Sequence, residues 1–407
     1  MLLSGPEPTL DAERLSSMSF EDLDTARLRC RVSEKWRRHG GEILPAWVAE
    51  MDFPLAEPIR DVLTAAVDNH DFGYPPWPHE MGLPRAFAER MQARYGWHAD
   101  PDRVEVLSDV VQGITLGLLA YTAPGDAVLV QTPIYPPFLG SVRQTGRRLV
   151  TSALIDGGGG FEIDFEHLRE VSQGAKVLLL CHPHNPTGRV FTRAELGALA
   201  ELAVERDWLV LSDEIHADLT FSGQSFVPFA ALGPEIAART VTLTSASKAF
   251  NIAGLRCAVA HFGTRALHER FNAVLPPHVR GGLGILGLYC TLAAWQSGGA
   301  WLEQVRSTLD GHRHWLLQQF KARLPQAVVH LPEATYLAWL DLRKLELPTS
   351  PAAFFHERAR VALSDGAAFG GEDFRGYARL NYATSRAILS EILERIFHAA
   401  EAPRGTP

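Results

Sequence analysis

Between residues 104 and 262 the chain alternates short, nearly unbroken apolar runs with longer amphipathic stretches. The apolar runs predict strands at Val104–Leu107, Ala127–Gln131, Val177–Cys181, Leu209–Ser212, Val241–Thr244 and Cys257–Phe262. A strand that is apolar at almost every position is covered on both faces, as in a parallel sheet with helices on either side. The stretches between them read as helices. Thr192–Arg206 opens with Thr192 and Glu195 at capping-box spacing, which satisfies free N–H groups at a helix start. This alternation predicts α/β layers. From about residue 286 the rhythm changes. A long helical stretch runs through Leu288–Leu302 to Phe320, followed by short apolar runs at Val328–Leu331 and Leu337–Leu340 and a last helix near Ile388–Ala399. That pattern predicts a smaller α+β domain at the C-terminal end. Gly157–Gly160 reads as the tip of a surface hairpin.

Chemistry enters at the ends of three of these strands. Lys248 follows Ser245, Ala246 and Ser247 directly after the apolar run Thr240–Leu243. Lysine is ordinarily a solvated surface residue, and a surface lysine on a βα loop would look the same taken alone. Among small hydroxylated residues, with Arg256 shortly after, it suits an amine that bonds covalently to a carbonyl cofactor whose phosphate needs holding. The Val177–Cys181 run breaks into Asn185–Pro186–Thr187–Gly188, and the Leu209–Ser212 run ends on Asp213 and Glu214. An acid at the carboxyl end of a parallel strand points into the crevice where α/β sheets bind ligands. Pyridoxal 5'-phosphate (PLP) withdraws electrons only while its ring nitrogen stays protonated, and a fixed carboxylate keeps it so. Asp213 is the candidate for that task, and Asn185 the candidate donor to the cofactor's 3′ oxygen. Turn and strand-end acid each have ordinary structural readings. Their order and spacing ahead of the lysine favour a PLP site.

With these segments in view, the chain resembles the fold-type I, PLP-dependent aminotransferase superfamily. More narrowly it resembles the MalY/PatB group of C–S lyases, which are cystathionine β-lyase-like. Arg379–Asn381 belongs to the broad likeness; the narrower one rests on Trp47–Phe53, Phe72–Tyr74, Asp213–Asp218, Ser247–Arg256 and Glu333–Asp341. It implies an α/β fold whose large domain has a mainly parallel seven-stranded sheet flanked by helices, plus a smaller α+β domain. By the same resemblance residues 18–48 form an N-terminal segment of the small domain, 49–286 the PLP-binding domain and 287–400 the C-terminal small domain.

The resemblance also implies roles for single residues. Lys248 would be both anchor and base. The backbone N–H groups of Val110 and Val111, at a helix start, would face the phosphate, as anions favour such ends. Ser245 and Arg256 match the phosphate-binding hydroxyl and guanidinium, and Tyr135 the aromatic that stacks on the ring. His216 stands where aspartate-type aminotransferases carry a tyrosine on the 3′ oxygen. Tyr74 matches a tyrosine reaching the neighbouring subunit's phosphate, which implies a homodimer with shared sites. Arg379 matches the arginine that clamps the substrate α-carboxylate. Three positions depart from the group's pattern: Glu50, His182 and Arg375. None is a PLP anchor, but Glu50 and Arg375 leave the substrate open. The implied reaction is β-elimination from cystathionine, a cysteine S-conjugate or a related amino acid. An aminotransferase shares its first half and remains the alternative.

Composition then removes other classes. At net charge −8 over 407 residues there is no basic field for nucleic acid. Cys30, Cys181, Cys257 and Cys290 are far apart and read as reduced, mostly buried thiols of a cytoplasmic protein. No secretion signal and no membrane span is legible. Gly282–Gly287 spells a dinucleotide-binding glycine pattern, but prolines rather than a strand precede it. Cys181, His182 and His184 lack the further ligands of a zinc site, so no metal is expected.

Overall fold

The computed structural model describes residues 20–276 and 283–401; Gly282 and both chain ends lie outside the described residues. The chain divides into two units. One holds the residues up to Glu57 with Ser307–Leu331 and Tyr336 onward, the other Pro58–Arg306 and Pro332–Thr335.

The second unit is built on a seven-stranded sheet: β1 (Val104–Leu107), β2 (Ala127–Thr132), β3 (Arg148–Ala153), β4 (Ala175–Cys181), β5 (Leu209–Asp213), β6 (Thr240–Thr244) and β7 (Ala258–Phe262). Their order across the sheet is β1-β7-β6-β5-β4-β2-β3. The pairs β6–β5, β5–β4, β4–β2 and β2–β3 are parallel, and β7 runs antiparallel to both β1 and β6. The six strands expected from apolar runs are all present. β3 was not expected, because as an edge strand it alternates exposed and buried positions and begins on Arg148. The capping box of Thr192 and Glu195 starts helix Arg193–Glu205.

Helix Val110–Tyr121 lies close on the sheet. At Gly113 a Cβ would stand 2.7 Å from the Leu243 side chain, so a larger residue there would push the helix off β6. The expected single helical stretch after residue 286 is two helices, Ile285–Ser297 and Gly299–Arg323, broken at Gly298. The first packs within the larger unit: Trp295 lies against Phe87, and its carbonyl accepts from Arg90. The division therefore falls at Arg306, inside the second helix, later than the sequence pattern placed it.

The smaller unit carries a four-stranded antiparallel sheet ordered β8 (Val328–Val329), β9 (Leu337–Asp341), β11 (Tyr377–Asn381), β10 (Ser364–Asp365). Helices Pro351–Arg358 and Arg386–Glu401 accompany it, and Leu44–Pro45 pairs in parallel with Val361–Ala362. The glycine run turns between two short antiparallel strands, Ile155–Asp156 and Phe161–Glu162. All four cysteines are free. Cys181, Cys257 and Cys290 are buried, whereas Cys30 is exposed on a short helix end.

Candidate active site

The carboxyl edge of the large sheet gathers most of the residues singled out above. The parallel register sets Cys181 beside Asp213 and Asp213 beside Leu243, so the loops after β4, β5 and β6 leave the sheet at one level. Those connections carry Asn185, His216 and, in the short helix Ala246–Ala249, Lys248. β1 ends at the same edge, because Leu107 pairs with Ala258 at the start of β7.

Asp213 is buried, and burial pushes its carboxyl up to about 7. The Ile215 N–H, which donates to it at 3.0 Å, and the Lys248 charge pull the other way. Such a carboxyl is costly to ionise unless a cation completes its surroundings. Its neighbour Glu214 is also raised, to about 8, by burial, although it accepts from Phe229 N at 3.0 Å and Ser212 Oγ at 2.8 Å.

The Asn185 turn is fixed from both sides. His184 N donates to Arg189 O and Gly188 N to His184 O, both at 2.8 Å. Arg189 donates to Glu195 at 2.7 Å and to Glu333 at 2.9 Å. The Gly188 carbonyl accepts from the N–H groups of Glu333 and Ala334. Gly188 has φ +73°, and an added Cβ would stand 2.8 Å from Pro332 Cβ, so only glycine suits the position.

Asp109 caps helix Val110–Tyr121 by accepting from Gln112 N at 2.7 Å, and Val110 and Val111 are its first residues. Arg256 forms an ion pair with Asp109 at this helix start. Ser245 Oγ donates to Cys257 O at 2.5 Å and accepts from Ser247 N at 3.0 Å, so it ties the end of β6 to the start of β7. Tyr135 is the N-cap residue of helix Pro136–Gln144. His216 precedes the turn Ala217–Leu219, whose Asp218 is held by Arg90 at 2.7 Å, Tyr95 at 3.0 Å and Arg94 at 3.1 Å. Tyr74 stands apart, fully exposed with Phe72 and Trp77 also exposed nearby.

Arg379 belongs to the smaller unit. It is buried on β11, donates from Nη2 to Trp47 O at 2.9 Å and to Ser364 Oγ at 3.1 Å, and lies over the Phe369 ring. Of the three departures, His182 is a packing residue. Its ring is stacked between Phe191 and Phe226, and burial lowers it to about 3, so it stays neutral. Arg375 is exposed and paired with Glu372. Glu50 lends its backbone carbonyl to Lys35 and Asn381. In the rejected glycine pattern, Gly287 packs against the Leu255 carbonyl, where a Cβ would stand at 2.3 Å.

A buried carboxyl that lacks a full complement of positive charge, a lysine whose charge acts on it, a helix start and an arginine at one sheet edge fit PLP. Asp213 would face the ring nitrogen. The helix start with Arg256 and Ser245 would hold the phosphate.

A family model described as aminotransferase class I and II matches residues 48–396. The chain belongs to this family. A cystathionine β-lyase of Corynebacterium glutamicum is 36% identical, covering 93% of this chain and 99% of its own. The cystathionine β-lyase PatB of Bacillus subtilis (strain 168) is 34% identical, covering 89% and 95%. Among solved structures of similar fold is the PLP-bound C–S lyase from Staphylococcus hominis, with TM-score 0.88, 30% identity and coverage of 95% and 100%. Membership in the class I and II family gives the α/β architecture its name, as the sequence resemblance implied.

Proposed function

We propose that this protein is a PLP-dependent C–S β-lyase that cleaves cystathionine, a cysteine S-conjugate or a related amino acid to pyruvate, ammonia and a thiol. The observation that carries the reading is the meeting of Asp213 and Lys248 at one sheet edge, in a chain 34% to 36% identical to cystathionine β-lyases over about nine-tenths of its length. PLP, when bound, supplies the electron sink that lets a Cα–H bond ionise. The chain's own residues do the rest. Lys248 Nζ anchors the cofactor and then takes the α-proton. Asp213 keeps a negative charge opposite the ring nitrogen. Asn185 and His216 serve the 3′ oxygen, Tyr135 covers a ring face, and Val110, Val111, Ser245 and Arg256 hold the phosphate. Arg379 grips the substrate α-carboxylate and so orients the bond that breaks. Loss of thiolate from Cβ follows removal of the α-proton, and hydrolysis of the released product yields pyruvate and ammonia.

Tyr74, with the exposed Phe72 and Trp77, supports a homodimer in which Tyr74 reaches the partner's phosphate site. Among the described residues no helix is long and apolar enough to cross a membrane, and we place the enzyme in the cytoplasm.

The test is incubation with L-cystathionine, with pyruvate and free thiol measured beside glutamate formed from 2-oxoglutarate. Release of pyruvate and thiol is the expected result. Glutamate formation at the expense of an amino acid, without pyruvate from cystathionine or S-alkylcysteines, would replace the lyase by an aminotransferase.

A further inference from the structure

Arg379 does not hold its place by packing alone. β10 is two residues long, and its antiparallel register sets Ser364 directly opposite Arg379 on β11. Facing residues in such a pair bring their side chains within reach of one another. Three polar groups then close a triangle. Arg379 Nη2 donates to Ser364 Oγ at 3.1 Å and to Trp47 O at 2.9 Å, and Ser364 Oγ donates to the same Trp47 O at 2.7 Å.

The triangle has rigid corners. Ser364 is steadied through its neighbour Asp365, which accepts from Ser350 Oγ at 2.6 Å and from Ala367 N at 3.0 Å. The Trp47 carbonyl belongs to a segment strapped down almost residue by residue. Ala46 O accepts from Asn381 N, Val48 O from Asn381 Nδ2 at 2.7 Å and Ala49 O from the Tyr336 hydroxyl at 2.9 Å. Glu50 O accepts from Asn381 Nδ2 at 2.6 Å and from the buried Lys35 Nζ at 3.2 Å. The Trp47 indole N–H donates in turn to Lys35 O.

A guanidinium is planar, and the two N–H bonds of one terminal nitrogen lie in that plane at a fixed angle. Donation from Nη2 to two anchored acceptors that stand 2.7 Å apart restrains the rotation of the whole plane. In-plane donation to a carboxylate from the rest of the guanidinium depends on that rotation. We infer that Ser364 is a positioning residue: its hydroxyl sets the plane of the Arg379 guanidinium and thereby the affinity for the substrate α-carboxylate. The inference rests on the reading of Arg379 as the carboxylate clamp. Phe369, whose ring centroid is 4.9 Å from the guanidinium carbon, supports one face but fixes no rotation about its normal.

The experiment compares Ser364→Ala, Ser364→Thr, Arg379→Ala and the double variant Ser364→Ala/Arg379→Ala in the PLP-loaded enzyme. KM and kcat are measured on L-cystathionine, and the visible absorbance of the bound cofactor is recorded with its pH dependence. Ser364→Ala should raise KM about tenfold, the scale of a hydrogen bond to a charged group, with the absorbance unchanged. Ser364→Thr keeps the hydroxyl and should stay within about threefold of wild type by the same scale. In the Arg379→Ala background, removing the hydroxyl should change KM less than about twofold, because the group it positions is gone. A merely structural role would lower thermal stability and leave KM in place. Ser364→Ala at wild-type KM, or a full additional rise in the double variant, overturns the positioning role. Arg379→Ala at wild-type KM overturns instead the clamp on which it rests.

Discussion

Asp213→Asn, studied with and without PLP, separates what this carboxyl costs from what it does. In the folded chain burial pushes Asp213 from 3.8 to about 7, against the pull of Ile215 N–H and Lys248. At 1.36 kcal/mol per unit, holding the ionised form inside the cofactor-free protein costs ~4 kcal/mol. The sign follows from the direction of the shift. A carboxyl whose folded value is raised contributes fully below its unfolded value, and that contribution is lost as pH rises toward the folded one. Cofactor-free wild type should therefore lose this stability between about pH 4 and 7. Asparagine is nearly the same size, keeps an oxygen for Ile215 N–H and never ionises. The cofactor-free variant should match wild type near pH 4. At pH 8 it should melt higher by roughly 8–16 °C, taking ~2–4 °C per kcal/mol for a unit of this size. Glu214 adds its own pH dependence to both proteins, and its repulsion by Asp213 acts in the same direction. With PLP bound the order reverses. The variant should gain less stability from the cofactor and remove the α-proton several orders of magnitude more slowly, because the ring nitrogen loses its partner. The assay is a thermal scan at pH 4, 6 and 8 with and without PLP, beside pyruvate release. A cofactor-free variant no more stable than wild type at pH 8 would refute the argument from burial. Turnover near wild type would show that another acid serves the ring.

Borohydride treatment of the loaded protein should leave a pyridoxyl group on Lys248, read by peptide mass; labelling at another lysine refutes the anchor. Lys248→Ala should keep non-covalent PLP binding and lose turnover, since one amine is both anchor and base. Gly188→Ala places a side chain at φ +73° and 2.8 Å from Pro332 Cβ. It should cost ~2–4 kcal/mol and weaken PLP binding through the Asn185 turn, measured by melting and by cofactor titration; unchanged values would show that the turn relaxes freely. Tyr74→Ala should lower PLP affinity in the dimer while leaving the cofactor-free melting point within about 2 °C, because an exposed side chain contributes little to the fold; undiminished affinity would remove Tyr74 from the phosphate site.

Strands buried on both faces announce themselves as apolar runs, so β2, β4, β5, β6 and β7 were legible in the sequence, and the edge strand β1 through its three buried apolar residues. β3 was not, because one of its faces meets solvent and its apolar content is halved. Asp213 at the end of β5, and Lys248 in the short helix just beyond β6, were legible for a related reason. A polar residue that ends a buried strand is forced to the edge of the sheet, and in a parallel sheet that edge is shared. The sequence likewise carried the capping box at Thr192, since that device needs only residues three positions apart. What only the tertiary structure decided are the contacts between residues distant along the chain. His182 stood out as a departure in a motif, yet only the stack with Phe191 and Phe226 shows that it is neutral packing. No sequence pattern joins Ser364 and Trp47 to Arg379. Their meeting depends on a two-residue antiparallel register and on a backbone carbonyl, and neither leaves a mark in residue type. Periodicity encodes which face of an element is buried. Which partner waits there is fixed when the elements pack.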